Sequence, residues 1–283
     1  MSVQIVSIFY LLTVISVIAI ENEFCRYSCP GQKEVHMNTI CMREALRCGG
    51  GVTCGSDFKE LILTNAERQY ILDWHNYLRN RVAMGKERRG GEQPSASNMN
   101  TLVYNKELEF MAQCWINECH ESILVHDKCR RTKKFSWVGQ NLAYVGSTAP
   151  NELSNRGSMI KKLILGWYDE VALFNKTWVS DHQERLVNIG HYTAMIWADT
   201  KNVGCGMSYY SYKESNKTWY ILKLGCNYGP GGNYLGRPLY KIGKPATKCT
   251  GRKVNRRFPG LCGVDISVNQ TKGYENILFN FRV

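Results

Sequence analysis

The stretch GHYTAMIWADTKNVGCG, residues 190–206, sets His191 directly behind a glycine at the head of a short helical segment. It then passes through a turn bearing Asp199, Asn202 and Gly204 into an alternating strand that carries Cys205. His191 alone proves nothing. It gains weight from two distant stretches, around His126 and around Glu170, that place polar groups where packing would not ask for them.

Downstream, Val203 to Ser211 and Trp219 to Tyr228 are two alternating runs separated by a polar turn, the pattern of an antiparallel hairpin. Cys205 and Cys226 fall within those runs and could face each other across it, a geometry compatible with a disulfide that spacing does not establish. Upstream, a helix beginning near Ser158 shows Ile160, Leu163, Ile164, Trp167, Val171 and Phe174 at helical offsets. Glu170 stands on or beside that inward face, and an ionised carboxylate there must meet a partner, water or a cavity.

Further back, Trp137 to Tyr144 reads as a strand interrupted at Gly139. Asn105 heads a helix whose buried stripe is Leu108, Met111, Ala112, Trp115 and Cys119, with Cys114 pointing elsewhere. Thr64 and Glu67 make a capping-box pair for a helix that Gly85 stops. His75 lies within that helix's apolar stripe and reads as a packed histidine rather than a catalytic one. Residues 85–98 form a polar loop long enough to be exposed and functional.

Twelve cysteines in 283 residues, without paired CxxC motifs at zinc spacing, indicate a disulfide framework made under oxidising conditions. Val3 to Ile20 is almost wholly apolar and residues 17–19 offer a small-residue cleavage site, so 1–19 reads as a signal peptide, with a signal anchor as the rival reading. No later segment is apolar enough to span a membrane, so the mature chain is expected to be secreted and free of a stable membrane span. Residues 20–60, holding Cys25, Cys29, Cys41, Cys48 and Cys54 with few apolar side chains, form an extension stapled to the main domain, 61–240. Residues 241–283 form a basic C-terminal extension in which Cys249 and Cys262 enclose a small looped appendage.

The formal charge of +12 is concentrated in local runs, residues 86–89, 128–134 and 248–257. These read as solvated basic surface or as attraction to glycans, anionic membranes or an acidic partner. Nucleic acid is excluded as a partner, because an exported chain without zinc-finger or aromatic-plus-basic motifs has no means of reading it. Asn175, Asn216 and Asn269 each begin an acceptor sequon for N-glycosylation in polar surroundings.

Three separated motifs carry a family resemblance: residues 190–197, residues 202–206, and CNYGPGGN at 226–233. Together they resemble the signatures of the CAP superfamily of cysteine-rich secretory, antigen 5 and pathogenesis-related 1 proteins. FCRYSC at 24–29, HDKCR at 126–130 and VGQNLA at 138–143 resemble insect antigen 5, and the tail through Cys249 and Cys262 resembles the extended C-terminus of fly members. The resemblance implies an α+β fold, a three-layer α-β-α sandwich with an antiparallel central sheet. It also implies the disulfides Cys25–Cys41, Cys29–Cys129, Cys54–Cys119 and Cys205–Cys226, leaving Cys48–Cys114 and Cys249–Cys262 as the economical remainder, with Cys48 and Cys54 open to exchange.

The same resemblance implies a cleft lined by His126, Glu170 and His191, with Gln140 at the position where other members carry a second acid, and Ala194 in place of a usual glutamine. Two imidazoles and a carboxylate suit Zn2+ or another divalent metal with an open position for water, or a general acid and base. Gln140 removes one anionic ligand and one proton acceptor but can still orient a ring or a water through its amide. No Ser or Cys has an assigned place beside these histidines as nucleophile, so no cofactor is required and turnover is not expected. The resemblance implies a secreted, non-enzymatic effector of the venom or saliva type that meets an extracellular protein, glycan or lipid. Carriage of a small lipid or sterol, or weak metal-dependent hydrolysis by His126, Glu170 and His191, are the alternatives.

Overall fold

The computed structural model describes residues 24–31, 34–43, 48–120, 124–183 and 188–270. The apolar leader read as a signal peptide lies outside the described residues, as does Thr271, the last residue of the third sequon.

The sheet is built on the hairpin of β6 (Asn202–Glu214) and β7 (Lys217–Gly229), in register from Asn202 opposite Gly229 to Glu214 opposite Lys217. β5 (Gly139–Ser147) pairs antiparallel with β7 and is the edge strand on that side. On the other side of β6, the short β3 (Lys59–Glu60) pairs antiparallel and β4 (Val103–Tyr104) pairs parallel. A separate two-stranded ribbon, β1 (Cys29–Pro30) with β2 (Val35–His36), belongs to the N-terminal extension.

Because side chains alternate along a strand, the two faces of the hairpin meet different layers. Val203, Cys205, Met207, Leu224, Cys226 and Tyr228 enter the main core. There they pack with α1 (Asn65–Ala83), α3 (Arg156–Asp169) and α4 (Gly190–Ile196). The opposite face carries α2 (Lys106–Ile116), which lies close because β6 presents glycines to it. A Cβ at Gly204 would stand 2.3 Å from Asn105 O, and one at Gly206 2.5 Å from Gln113 Cα. At these two positions no side chain larger than hydrogen fits under the helix. The result is the α-β-α sandwich that the motifs implied.

Local chemistry sets the helix ends. α1 starts at the Thr64/Glu67 capping box, with both reciprocal bonds present. α2 is capped by the Asn105 side chain, and α3 by the Asn155 side chain accepting from Ser158 N.

The structure corrects several boundaries. β5 starts at Gly139 rather than Trp137 and runs on to Ser147, because its partner β7 ends at Gly229 and Trp137 instead accepts the Gly231 N–H and donates its indole to Gly232 O. α3 stops at Asp169, and Glu170–Leu173 tighten into a 3-10 turn. Cys119 lies beyond the end of α2, at φ 49°, rather than in the stripe of that helix. The loop 85–98 is less exposed than its composition suggests: Glu87 is 0% exposed, held by Arg81, Arg89 and Tyr168. In the C-terminal extension, Phe258 and Leu261 enter the main core and Asn255 is buried against Thr101.

All twelve cysteines are bonded, as Cys25–Cys41, Cys29–Cys129, Cys48–Cys114, Cys54–Cys119, Cys205–Cys226 and Cys249–Cys262. Three of these bonds tie the N-terminal extension to α2 and the segment after it, and the extension adds a small cluster of Ile40 and Cys48 against Met111 and Cys114. Among the described residues no helix is long and apolar enough to cross a membrane.

Candidate functional site

The site gathers at the open edge of the sheet, where β5 has no further strand beyond it. Gln140 and Asn141 are consecutive on β5 and therefore point to opposite faces. Gln140 turns to the α2 side, where its Nε2 donates to Asn227 Oδ1 at 3.1 Å and Asn227 in turn reaches Leu108 O. Its Oε1 accepts the main-chain N–H of Asp127 and contacts His126 Nδ1, both at 3.0 Å. Asn141 turns to the other side and donates to His191 O at 3.1 Å and to Tyr228 Oη at 3.2 Å.

Glu170 comes from the 3-10 turn after α3 and reaches across to α4. Its Oε1 lies 2.7 Å from His191 Nδ1, and its Oε2 accepts the N–H groups of His191 and Tyr192 at 2.9 and 3.0 Å. Ile189, the residue before α4, supplies no side-chain cap, so Glu170 satisfies the first-turn donors from another element and sets an anion at the positive end of that short helix. This is the partner that the carboxylate required.

The two histidines thus hang from opposite sides of the edge strand, each with Nδ1 engaged, His126 by Gln140 and His191 by Glu170. Both are tied to adjacent residues of that strand, the His126 ring to Gln140 and the His191 carbonyl to Asn141. Partial desolvation lowers the His126 pKa below its ordinary value. The Gln140 bond opposes this, and the nearby cations Arg130 and Lys223 act in the same direction as burial. Behind His191, Tyr228 joins Asn141 to His75, whose Nε2 lies 3.0 Å from Tyr228 Oη and whose Nδ1 lies 2.8 Å from Ile71 O. His75 is 0% exposed, and burial holds its pKa down to about 4.

Asn141, Asn227 and Tyr228 complete this network, and the sequence reading did not place them in it. Their signal was present: Asn141 follows Gln140, and Asn227 and Tyr228 follow Cys226, so strand alternation would have put one polar side chain on each face of the edge.

These residues do not supply a three-ligand zinc site. Both Glu170 oxygens are spent on His191 and the head of α4, so the carboxylate orients the ring, as an outer partner of a metal ligand would, rather than offering itself as a ligand. Among the described residues no group of three His, Cys, Asp or Glu side chains is placed to hold a metal ion. Nor is His126 or His191 hydrogen-bonded to a Ser or Thr hydroxyl among the described residues, and no cysteine is free.

A glycine-lined sandwich stapled by disulfides, with two histidines brought to one sheet edge by Gln140 and Glu170, defines the protein class. Residues 72–228 match the family model of the cysteine-rich secretory protein family, CAP, and the chain belongs to that family. It is 43% identical over 222 residues to venom allergen 5 of Polistes dominula, covering 77% of this chain and 89% of that protein. With venom allergen 5 of Polistes gallicus it is 43% identical over 227 residues, covering 77% and 98%. Among solved structures it resembles NaASP2 with Zn2+, at 27% identity and a TM-score of 0.55, covering 74% of this chain and all of that one.

Proposed function

We propose that this chain is a secreted, non-enzymatic protein of the antigen 5 type, a venom or saliva component that binds an extracellular target through its exposed loops. The observation that carries this reading is the engagement of both Glu170 oxygens, which orient the His191 ring and cap the head of α4. No activated nucleophile stands beside the histidines among the described residues. Further support comes from the six disulfides, which suit a rigid scaffold outside the cell, and from the venom allergens to which the chain is similar. The fly affinity rests on the tail through Cys249 and Cys262 alone; the relatives named above are wasp proteins.

Among the described residues, two imidazole Nε2 atoms are left for a divalent ion, short of the three protein donors of an ordinary catalytic zinc site. The test of the main reading is capture from host extracellular fluid with the oxidised, glycosylated protein and with a His126→Ala/His191→Ala variant. The same component should be retained by both. Retention that vanishes with the histidines would move the function into the cleft.

One observation favours small-lipid carriage as a second reading. A shallow, mainly apolar hollow of about 330 Å³ on α1 is lined by Tyr70, Trp74, Tyr77 and Phe258 together with the Asp73–Arg257 ion pair, near the lower end of ordinary ligand pockets. Solvent extraction of the secreted protein followed by mass spectrometry decides it: an empty extract and no uptake of added sterol or fatty acid would remove this alternative.

A further inference from the structure

A second hollow, of about 260 Å³, lies between the turn after α4 and the C-terminal extension, away from the cleft residues. Its wall contains Lys201, Lys241, Lys248 and Arg252 against one acid, Asp199. Lys201 is half-buried, and the other three cations are exposed around the mouth. None of the four has an ion-pair partner among the described residues, whereas Arg257 further along is paired with Asp73 and Asp265. The surrounding segment, residues 237–257, carries eight Lys and Arg and no Asp or Glu.

The cations stand on a frame that is already built. Ser97 N donates to Lys241 O and Lys248 N to Ser97 O, so two of the cation-bearing segments are joined through one residue. Ala198 N donates to Leu239 O, Asn100 N to Ala198 O, and Cys262 N to Met99 O, while Cys249–Cys262 closes the extension over the wall. Asn98, Asn100 and Thr250 add neutral polar groups to the lining. A solvated basic surface needs neither a concavity nor a cross-linked wall. Four like charges around one hollow leave an anion as the missing partner, and a frame held before binding reduces the ordering cost of taking one.

From this arrangement we propose that the hollow binds a sulfate or phosphate group carried on a sugar, the oxyanion meeting Lys248, Arg252, Lys201 and Lys241 and the sugar hydroxyls meeting the neutral polar lining. Arginine and lysine around a tetrahedral oxyanion form charge-assisted hydrogen bonds, the strong kind. The volume lies just under the ~300–1,000 Å³ of drug-sized pockets and suits a saccharide unit rather than a lipid chain. The site is independent of the cleft, so the failure of either reading leaves the other standing.

The test is calorimetry on the full, oxidised chain with three probes: a sulfated heparin disaccharide, the same disaccharide without sulfate, and inorganic phosphate. The sulfated sugar should bind saturably at one site, the unsulfated one should not bind, and phosphate should bind more weakly than the sulfated sugar. Lys248→Ala/Arg252→Ala should weaken the sulfated sugar by about tenfold or more, the loss of one to two charge-assisted bonds. Lys213→Ala/Lys217→Ala, which removes the same charge from the far end of the β6–β7 hairpin, should leave binding within about twofold, as expected for screened distant charges. Equal losses in both variants, or no preference for the sulfated over the unsulfated sugar, would overturn the site. Phosphate binding as tightly as the disaccharide would overturn the sugar.

Discussion

Glu170 and His191 come from different elements, the turn after α3 and the head of α4, and meet at 2.7 Å while the same carboxylate holds the main-chain N–H groups of His191 and Tyr192. One side chain therefore fixes both a ring and the helix that carries it. Glu170→Ala should cost about 2–3 kcal/mol, because several charge-assisted hydrogen bonds are lost from a largely buried site. Glu170→Gln keeps one oxygen for the helix head and an amide for the ring, and should cost about 1 kcal/mol. Urea unfolding of the two variants checks this, and equal losses would show that charge, not geometry, is what the site requires.

Acid should destabilise the protein in two stages. Burial lowers the His75 pKa to about 4, below its unfolded value of 6.5, so the unfolded chain takes up this proton first. Stability is then complete above pH 6.5 and falls as pH drops toward 4, by about 3 kcal/mol from this group. For Glu87, burial alone would raise the pKa, but hydrogen bonds from Arg89, Tyr168 and Arg81 hold it at about 2. Its contribution is present above 4.5 and is lost as pH falls toward 2. Melting curves across this range check both windows, and His75→Asn should remove the upper one.

Lys223 is fully buried on β7 with no hydrogen-bond partner for its Nζ among the described residues, and burial lowers its pKa to about 8. With the folded pKa below the unfolded 10.5, the charge carries its full penalty below pH 8 and is relieved as pH rises from 8 to 10.5. Lys223→Met should stabilise the protein at pH 7 by about 1–3 kcal/mol, with wild type and variant converging at high pH. A destabilised variant at pH 7 would mean that the ammonium has a partner worth more than its desolvation.

Asn216 sits at φ 62° in the turn between β6 and β7, and Asn175 is exposed with Oδ1 accepting from Thr177 N and Oγ1. Both should carry N-linked glycan when the chain is made in a secretory host. Mass spectrometry before and after glycosidase treatment checks this. Asn216→Gln should cost about 0.5–1 kcal/mol, because asparagine tolerates this left-handed backbone better than glutamine does.

The elements that the sequence announced most plainly are those governed by local rules: the Thr64 capping box, the Asn105 cap and the alternation through Cys205 and Cys226. Where tertiary contacts decide, the local pattern overran. The apolar face of α3 continues through Val171 and Phe174, yet the helix ends at Asp169 and the chain tightens so that Glu170 can reach α4. Loop 85–98 looked exposed because its residues are polar, and it is partly buried because Glu87 finds two guanidiniums and a phenol. At the sheet edge, the family motifs pointed to His126, Glu170 and His191. That Glu170 is spent as a remote cap, and that the two histidines approach from opposite sides of β5, depends on long-range packing that motif spacing does not encode.

The central proposal is that the network of His126, Gln140, Glu170 and His191 is structural and that the protein acts by binding. The most direct measurement is turnover of peptide, ester and phospholipid substrates by the purified, fully oxidised protein alongside His191→Ala. The account predicts no hydrolysis that depends on His191, with or without added zinc. Hydrolysis by the wild type that disappears in a His191→Ala variant of unchanged melting temperature would contradict it.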